Sequence, residues 1–89
     1  MKAVITVMGK DMVGILAKVS GICAEKNVNV LEVTQSILQD MFAMIMLVDI
    51  SGINSSFASL ADELELAGKE MGLSIHTMHE DIFNSMHKI

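Results

Sequence analysis

Apolar and polar positions follow two different periods along the chain, and the period changes between segments. Residues 2–8 are rich in Val and Ile and contain no Pro or Gly, so they are predicted to form a strand. Residues 14–27 carry apolar side chains at every third or fourth position, which predicts an amphipathic helix. Between the strand and the helix, Gly9 and Gly14 flank a turn of four residues.

The same two periods, one typical of strands and one of helices, continue through the rest of the chain. Residues 30–38 alternate between apolar and polar side chains, which is typical of a half-exposed edge strand. Residues 41–50 are apolar on both faces, and the short link at positions 39–40 predicts a hairpin between the two strands. The pattern then predicts a helix over residues 57–71, a strand over 73–79 and a short amphipathic helix over 80–89.

The order β-α-β-β-α-β, followed by a short helix, predicts an α+β protein of the ferredoxin-like class. In that architecture a four-stranded antiparallel sheet carries two helices on one face, with the first and third strands in the centre. The length of 89 residues fits one domain.

Two helices cover only one face of such a sheet, although both central strands are apolar on both faces. One of the two alternating sets on residues 4–8 and 41–50 would therefore contact water in a monomer. We expect the C-terminal helix to cover part of this face and a second copy to cover more, with sheets packed face to face about 10 Å apart. The alternative is that the methionines fill the core under the helices.

Charge and composition exclude several kinds of partner. The net charge is −5, Arg is absent, and the six lysines form no cluster, which argues against nucleic acids and anionic membranes. No apolar run reaches the roughly 20 residues of a membrane span, and the N-terminus lacks the layout of a signal peptide. We therefore expect a cytoplasmic protein. A hydrophobic content of 52% in so short a chain also predicts self-association.

The glycine-flanked turn is the strongest candidate binding site. The first turn of a helix has amide groups without intrahelical partners, and the helix dipole makes that end slightly positive. Such an end favours a carboxylate or another anion. Asp11 either caps this helix or contacts a ligand ammonium group, so a zwitterion or cationic group fits better than a bare anion.

Other reactive side chains give no catalytic pattern. His76, His79 and His87 are metal ligands by type, but strand residues three apart point to opposite faces, so we expect surface or interface histidines and no metal site. Cys23 lies beside the apolar stripe of the first helix, without a base at a useful spacing. The sequence therefore predicts neither an enzyme nor a cofactor.

Two segments in this order resemble the ACT domain. They are Asp11-Met12-Val13-Gly14-Ile15-Leu16 after the first strand and Asn27-Val28-Asn29-Val30 before the second. The resemblance covers residues 1–79 and leaves residues 80–89 as a helical tail. It extends to stand-alone single ACT domain proteins of about this length and to the ACT modules of the glycine cleavage system transcriptional repressor.

The resemblance implies a regulatory module rather than a catalyst. ACT domains usually bind an amino acid or a similar small molecule, often between two copies, and report this to an enzyme or regulator. By position, Gly14 matches the family's glycine, Asp11 the polar loop residue, and Asn29 the polar residue at the start of the second strand. Val13 stands where many members have Pro, and Gly9 where amino-acid sensors have a polar residue.

These arguments give one set of candidate ligand-binding residues and two candidate functions. The set comprises the turn, the helix start and the second turn: Gly9, Lys10, Asp11, Met12, Val13, Gly14, Ile15, Asn27 and Asn29. The first function is a homodimeric sensor of an amino acid or related metabolite. The alternative is a protein-interaction module that docks an enzyme or regulator through its sheet face, without a ligand of its own.

Overall fold

The computed structural model describes residues 1–10 and 14–86, with only the backbone of Leu38, and within them the predicted order of elements is confirmed. Asp11, Met12 and Val13, together with residues 87–89, lie outside the described residues. The elements are β1 (Lys2–Gly9), α1 (Ile15–Glu25), β2 (Asn29–Leu38), β3 (Met41–Asp49), α2 (Phe57–Met71), β4 (Ser74–His79) and α3 (Glu80–Met86).

The four strands form one antiparallel sheet in the order β2-β3-β1-β4, so β1 and β3 are central as predicted. Lys2 lies opposite Asp49, and Gly9 lies opposite Phe42. The short link between β2 and β3 contains Gln39 at φ 59°, which closes the hairpin. The fold is therefore the α+β, ferredoxin-like arrangement that the sequence predicts.

One alternating set of each central strand faces α1 and α2 and is fully buried. From β1 these are Ala3, Ile5 and Val7, and from β3 they are Met44, Met46 and Val48. The helices contribute Ile15, Val19, Ile22, Cys23, Leu60, Leu64 and Ala67 to the same cluster. Methionine therefore does fill part of the core, as the alternative interpretation held, but only on this face.

Particular side chains mark where α2 begins and ends and link it to α1. Ser56 caps α2, because its hydroxyl oxygen accepts a hydrogen bond of 3.0 Å from the amide of Ser59. Gly72 follows α2 in the left-handed region at φ 74°. Lys26 at the end of α1 donates to the hydroxyl of Ser59 at 3.3 Å, which links the two helices.

The sheet face opposite α1 and α2 is only partly covered, and we call it the open face. Its central-strand residues are Val4, Thr6, Met8, Ala43, Ile45 and Leu47. Helix α3 contacts β1 and β4, and its Phe83 lines a pocket with Val4 and Leu47 on this face. Val4 is accordingly buried, whereas Met8 and Ile45 remain 50% and 41% exposed.

Strand β2 forms one edge of the sheet along its whole length. Its register with β3 shifts between Val30 and Glu32, so a β-bulge inserts Leu31. Leu31, Val33 and Ile37 are all exposed. In the described part of the chain, no helix is long and apolar enough to cross a membrane.

Candidate functional site

The glycine-flanked turn joins the end of β1 to the start of α1. Gly14 is the residue before the helix and adopts φ 78°, ψ −2°, a left-handed conformation that glycine reaches without steric cost. Its carbonyl oxygen accepts the first helical hydrogen bond, 3.0 Å from the amide of Lys18. The amides of the first turn have no intrahelical partner, so this end presents donors and a partial positive charge.

Gly14 leaves room for a ligand, while Gly9 has a packing explanation. Apart from its chain neighbours, no described residue has a heavy atom within 4 Å of a Cβ built on Gly14. A Cβ built on Gly9 would collide with the side chain of Leu73. The close approach of Leu73 therefore accounts for Gly9, which gives no separate support for a ligand loop. Ile15 is 2% exposed and anchors α1 in the core, so only its backbone can contribute to binding.

A cavity of about 600 Å³ lies at this end of the sheet. Its lining comes from the ends of β1 and α2 and the starts of β3 and β4: Met8, Gly9, Lys10, Met41, Met71, Gly72, Ser74 and His76. The ammonium group of Lys10 is exposed and lies 3.9 Å from the carboxylate of Asp40. Lys10 therefore brings a positive charge to the lining of this cavity, next to the negative charge of Asp40.

Asn27 and Asn29 lie at the opposite end of the molecule from this turn. Asn29 pairs with Asp49, which in turn pairs with Lys2 at the start of β1. Gly9, at the other end of β1, pairs with Phe42. Seven residues of strand separate the two levels, or roughly 23 Å at 3.3 Å per residue. A single chain therefore does not bring the two halves of the predicted site together.

Asn27 has a clear structural role. It adopts φ 60° just after α1, a left-handed conformation that Asn tolerates better than most residues. Its side-chain amide donates a hydrogen bond of 2.7 Å to the carbonyl oxygen of Gly52. Asn29 is exposed on the edge strand and remains available for binding.

The histidines on β4 lie on opposite faces of the sheet. His76 is opposite Thr6 on the open face. His79 is opposite Ala3 and stacks on the ring of Phe57, with 4.2 Å between centroids and 20° between planes. Among the described residues, no three His, Cys, Asp or Glu side chains are placed to share a metal ion.

Among the described residues, two ionisable groups have a shifted pKa, and each shift has a structural cause. Burial raises the pKa of the Cys23 thiol, which disfavours the thiolate. Hydrogen bonds from Ser51 lower the pKa of Asp49, and the Ser51 amide lies 2.9 Å from its carboxylate. Neither shift resembles the activation of a nucleophile or a general base.

Sequence reasoning missed most of the cavity lining. Met71 ends α2, Gly72 follows it and Ser74 begins β4, and they reach the turn only because β4 pairs with β1. Met41 reaches it because β3 pairs with β1 on the other side. No local motif marks these residues, so only the sheet order could have indicated them.

Comparison with known proteins identifies similar chains. The family model described as the ACT domain matches residues 2–78. A UPF0237 protein of Methanocaldococcus jannaschii is 49% identical over 88 residues, which cover 99% of this chain and 98% of that one.

Solved structures show the same fold. An ACT domain protein from Streptococcus pneumoniae matches with a TM-score of 0.80 and 38% identity, over 93% of each chain. The ligand-free regulatory subunit of aspartate kinase from Thermus thermophilus matches with a TM-score of 0.63 and 25% identity, over 85% of this chain and 49% of that one.

Proposed function

Because this chain belongs to the ACT domain family, whose members are generally regulatory ligand-binding modules, we propose that it is a sensor of an amino acid or a related metabolite. In this proposal the ligand binds between two copies of the chain, and the module is not an enzyme. The observation that carries the proposal is the separation of the two half-sites. The turn that ends at Gly14 and the exposed Asn29 lie at opposite ends of one sheet.

A two-fold axis through the β2 edge would unite these half-sites. If β2 pairs antiparallel with β2 of a second copy, Asn29 of the partner subunit becomes level with the end of β2 near Ile37. Ile37 lies opposite Phe42, which lies opposite Gly9. The partner's Asn29 would therefore approach the end of the sheet where α1 begins.

The β2 edge has the features of a pairing surface. It is ten residues long, contains no Pro, Lys or Arg, and carries one acidic side chain, Glu32. Long edges without such protection pair readily with another strand. The exposed apolar side chains of Leu31, Val33 and Ile37 would be covered by the second copy.

The charges at the turn support a zwitterionic ligand. The amides after Gly14 and the ammonium group of Lys10 suit a carboxylate. Asp11, which lies outside the described residues, would contact the ligand ammonium group. Asn29 of the partner subunit would add an amide that both donates and accepts. Binding would then stabilise one geometry of the pair, which a regulated enzyme or regulator could recognise.

The direct test is a thermal-shift screen against the twenty amino acids and common metabolites. A ligand at 100 times its Kd stabilises the native state by about 2.7 kcal/mol. Asp11→Ala and Asn29→Ala should each abolish the shift for the ligand found, while Ser55→Ala serves as a surface control. A full response in either site variant would refute the site.

A second candidate function rests on the open face. Met8 and Ile45 stay substantially exposed beside α3, so an enzyme or regulator could dock there without a small ligand. A screen without any thermal shift, combined with loss of partner binding on Ile45→Lys, would favour this interaction module over the sensor.

A further inference from the structure

The candidate ligand cavity at the end of β1 has an apolar floor built largely from methionine. Met8, Met41 and Met71 all line it, although they come from β1, from β3 and from the end of α2. Met8 and Met41 are 50% and 40% exposed, so their side chains contact water in a single copy of the chain. A ligand group that covers these side chains is favoured most when it is itself apolar.

The polar side chains of this cavity do not require a polar partner. Ser74 and His76 are exposed residues, so water can satisfy the hydroxyl and the imidazole. Among the described residues, the hydroxyl of Thr77 is the one buried side-chain polar group without a hydrogen-bond partner, and Thr77 does not line the cavity. A site that selects a polar ligand group has buried polar atoms that only this group can pair. The described lining of this cavity contains no such atom.

Charge in the described lining also disfavours a charged ligand side chain. The ammonium group of Lys10 already lies 3.9 Å from the carboxylate of Asp40. The described lining includes no carboxylate, so a cationic side chain would find no opposite charge there. An acidic side chain would compete with Asp40 for Lys10 and would lose hydration against three thioethers.

We propose that the sensor selects amino acids with an apolar side chain, such as leucine, valine or methionine, and that this side chain lies against the three methionines. The inference rests on the proposed function, in which the turn that ends at Gly14 holds the charged groups of the ligand. Gly9 flanks that turn and Lys10 lies in it, and both line the cavity, so the turn and the cavity adjoin. A volume of about 600 Å³ is ample for an amino acid side chain.

Methionine also determines how sharp the selectivity is. Its side chain is flexible and fits irregular apolar shapes, so several apolar amino acids should bind rather than a single one. A second cavity of about 600 Å³ beside α3 shares Met8 and His76 with this one. The lining therefore continues along the open face, where a longer apolar side chain can extend. The main discrimination is between apolar and polar side chains of the same shape.

The test is isothermal titration calorimetry of the full chain with amino acids that share a shape and differ in polarity. The side chains of leucine, asparagine and aspartate have the same shape, as do those of valine and threonine. We expect leucine and valine to bind about tenfold or more tightly than their polar counterparts.

Two variants test whether the cavity is the source of this selectivity. Met8→Gln and Met41→Gln each replace a thioether by an amide of similar length at an exposed position, so the fold should be retained, which circular dichroism checks. Each should weaken leucine binding about tenfold while changing asparagine binding little. Leu66→Gln is the matched control, because Leu66 is exposed on α2 and does not line this cavity. This control should bind leucine like the wild type.

Two outcomes would overturn the selectivity and leave the sensor in place. One is binding of asparagine, aspartate or threonine as tightly as the apolar amino acid of the same shape. The other is leucine binding that neither Met8→Gln nor Met41→Gln weakens. Absence of binding by all twenty amino acids would instead refute the amino-acid sensor and this selectivity together, so the two failures are distinguishable.

Discussion

Replacing Gly21 or Gly68 by alanine is expected to change the free energy of unfolding in opposite directions. Both glycines lie inside helices, Gly21 in α1 and Gly68 in α2. From the sequence alone, a glycine at position 21 inside a helix predicts close packing against a neighbouring element. The structure shows instead that Gly21 is exposed and that a Cβ there would contact no other element of the described structure within 4 Å. Gly68 is the glycine that packs closely.

At Gly21 only helix propensity changes. Alanine is more favourable than glycine inside a helix by about 1 kcal/mol. For a domain of this size, that gain raises the melting temperature by about 4–8 °C. Gly21→Ala should therefore stabilise the protein.

At Gly68 the same gain is opposed by steric overlap. The added Cβ would lie 2.8 Å from Cγ1 of Ile75 and 3.0 Å from the carbonyl oxygen of Leu73. That backbone segment is held in place because the amide of Leu73 donates to the carbonyl of Gly68 at 2.8 Å. Overpacking of this kind costs about 1–3 kcal/mol, so Gly68→Ala should lose up to about 2 kcal/mol net.

Urea unfolding followed by far-UV circular dichroism measures both effects, with the wild type as reference and two protein concentrations to reveal self-association. The reasoning would be refuted if Gly68→Ala were more stable than the wild type. It would also be refuted if Gly21→Ala were less stable at the lower concentration.

Three further predictions concern single side chains. Cys23 should react with a disulfide reagent only after unfolding, because burial raises its pKa; rapid reaction in native buffer would contradict this. Ser56→Ala should cost about 1 kcal/mol in urea unfolding, since the amide of Ser59 loses its acceptor; an unchanged midpoint would contradict this. The pKa of Asp49 is lower in the folded protein than in the unfolded chain, so ionised Asp49 stabilises the native state. This stabilisation is fully present above the unfolded-state pKa of about 3.9 and is lost as the pH falls through the pKa of the folded state. Asp49→Asn should reduce that acid dependence of the urea midpoint.

The sheet order was predictable because hydrophobicity reports burial. β3 is apolar on both faces, which places it in the centre, and β2 alternates, which places it at an edge. The bulge at Leu31 was not predictable, since it depends on how β2 meets β3 rather than on a local pattern. Lys26 falls within the apolar row of α1 by spacing, yet its side chain reaches Ser59 of α2.

The candidate site was predictable only in part, because some of its residues are determined by contacts with distant parts of the sequence. The turn before α1 carries its own signal in Gly14, whose left-handed conformation favours glycine. Position 9 is also a glycine, but for a different reason: the side chain of Leu73, which is 64 positions later in the sequence, packs closely against it. Contacts between residues far apart in sequence leave no local pattern.

The central claim is that two copies of the chain build each ligand site. The most direct test is to unfold the Asp11→Ala and Asn29→Ala proteins together in equal amounts and refold them, so that mixed dimers form. In a mixed dimer one site carries both defects and the other carries none, so random pairing should restore about one quarter of the wild-type binding capacity for the ligand found in the screen. A mixture that binds no ligand, like each variant alone, would contradict a site shared between subunits.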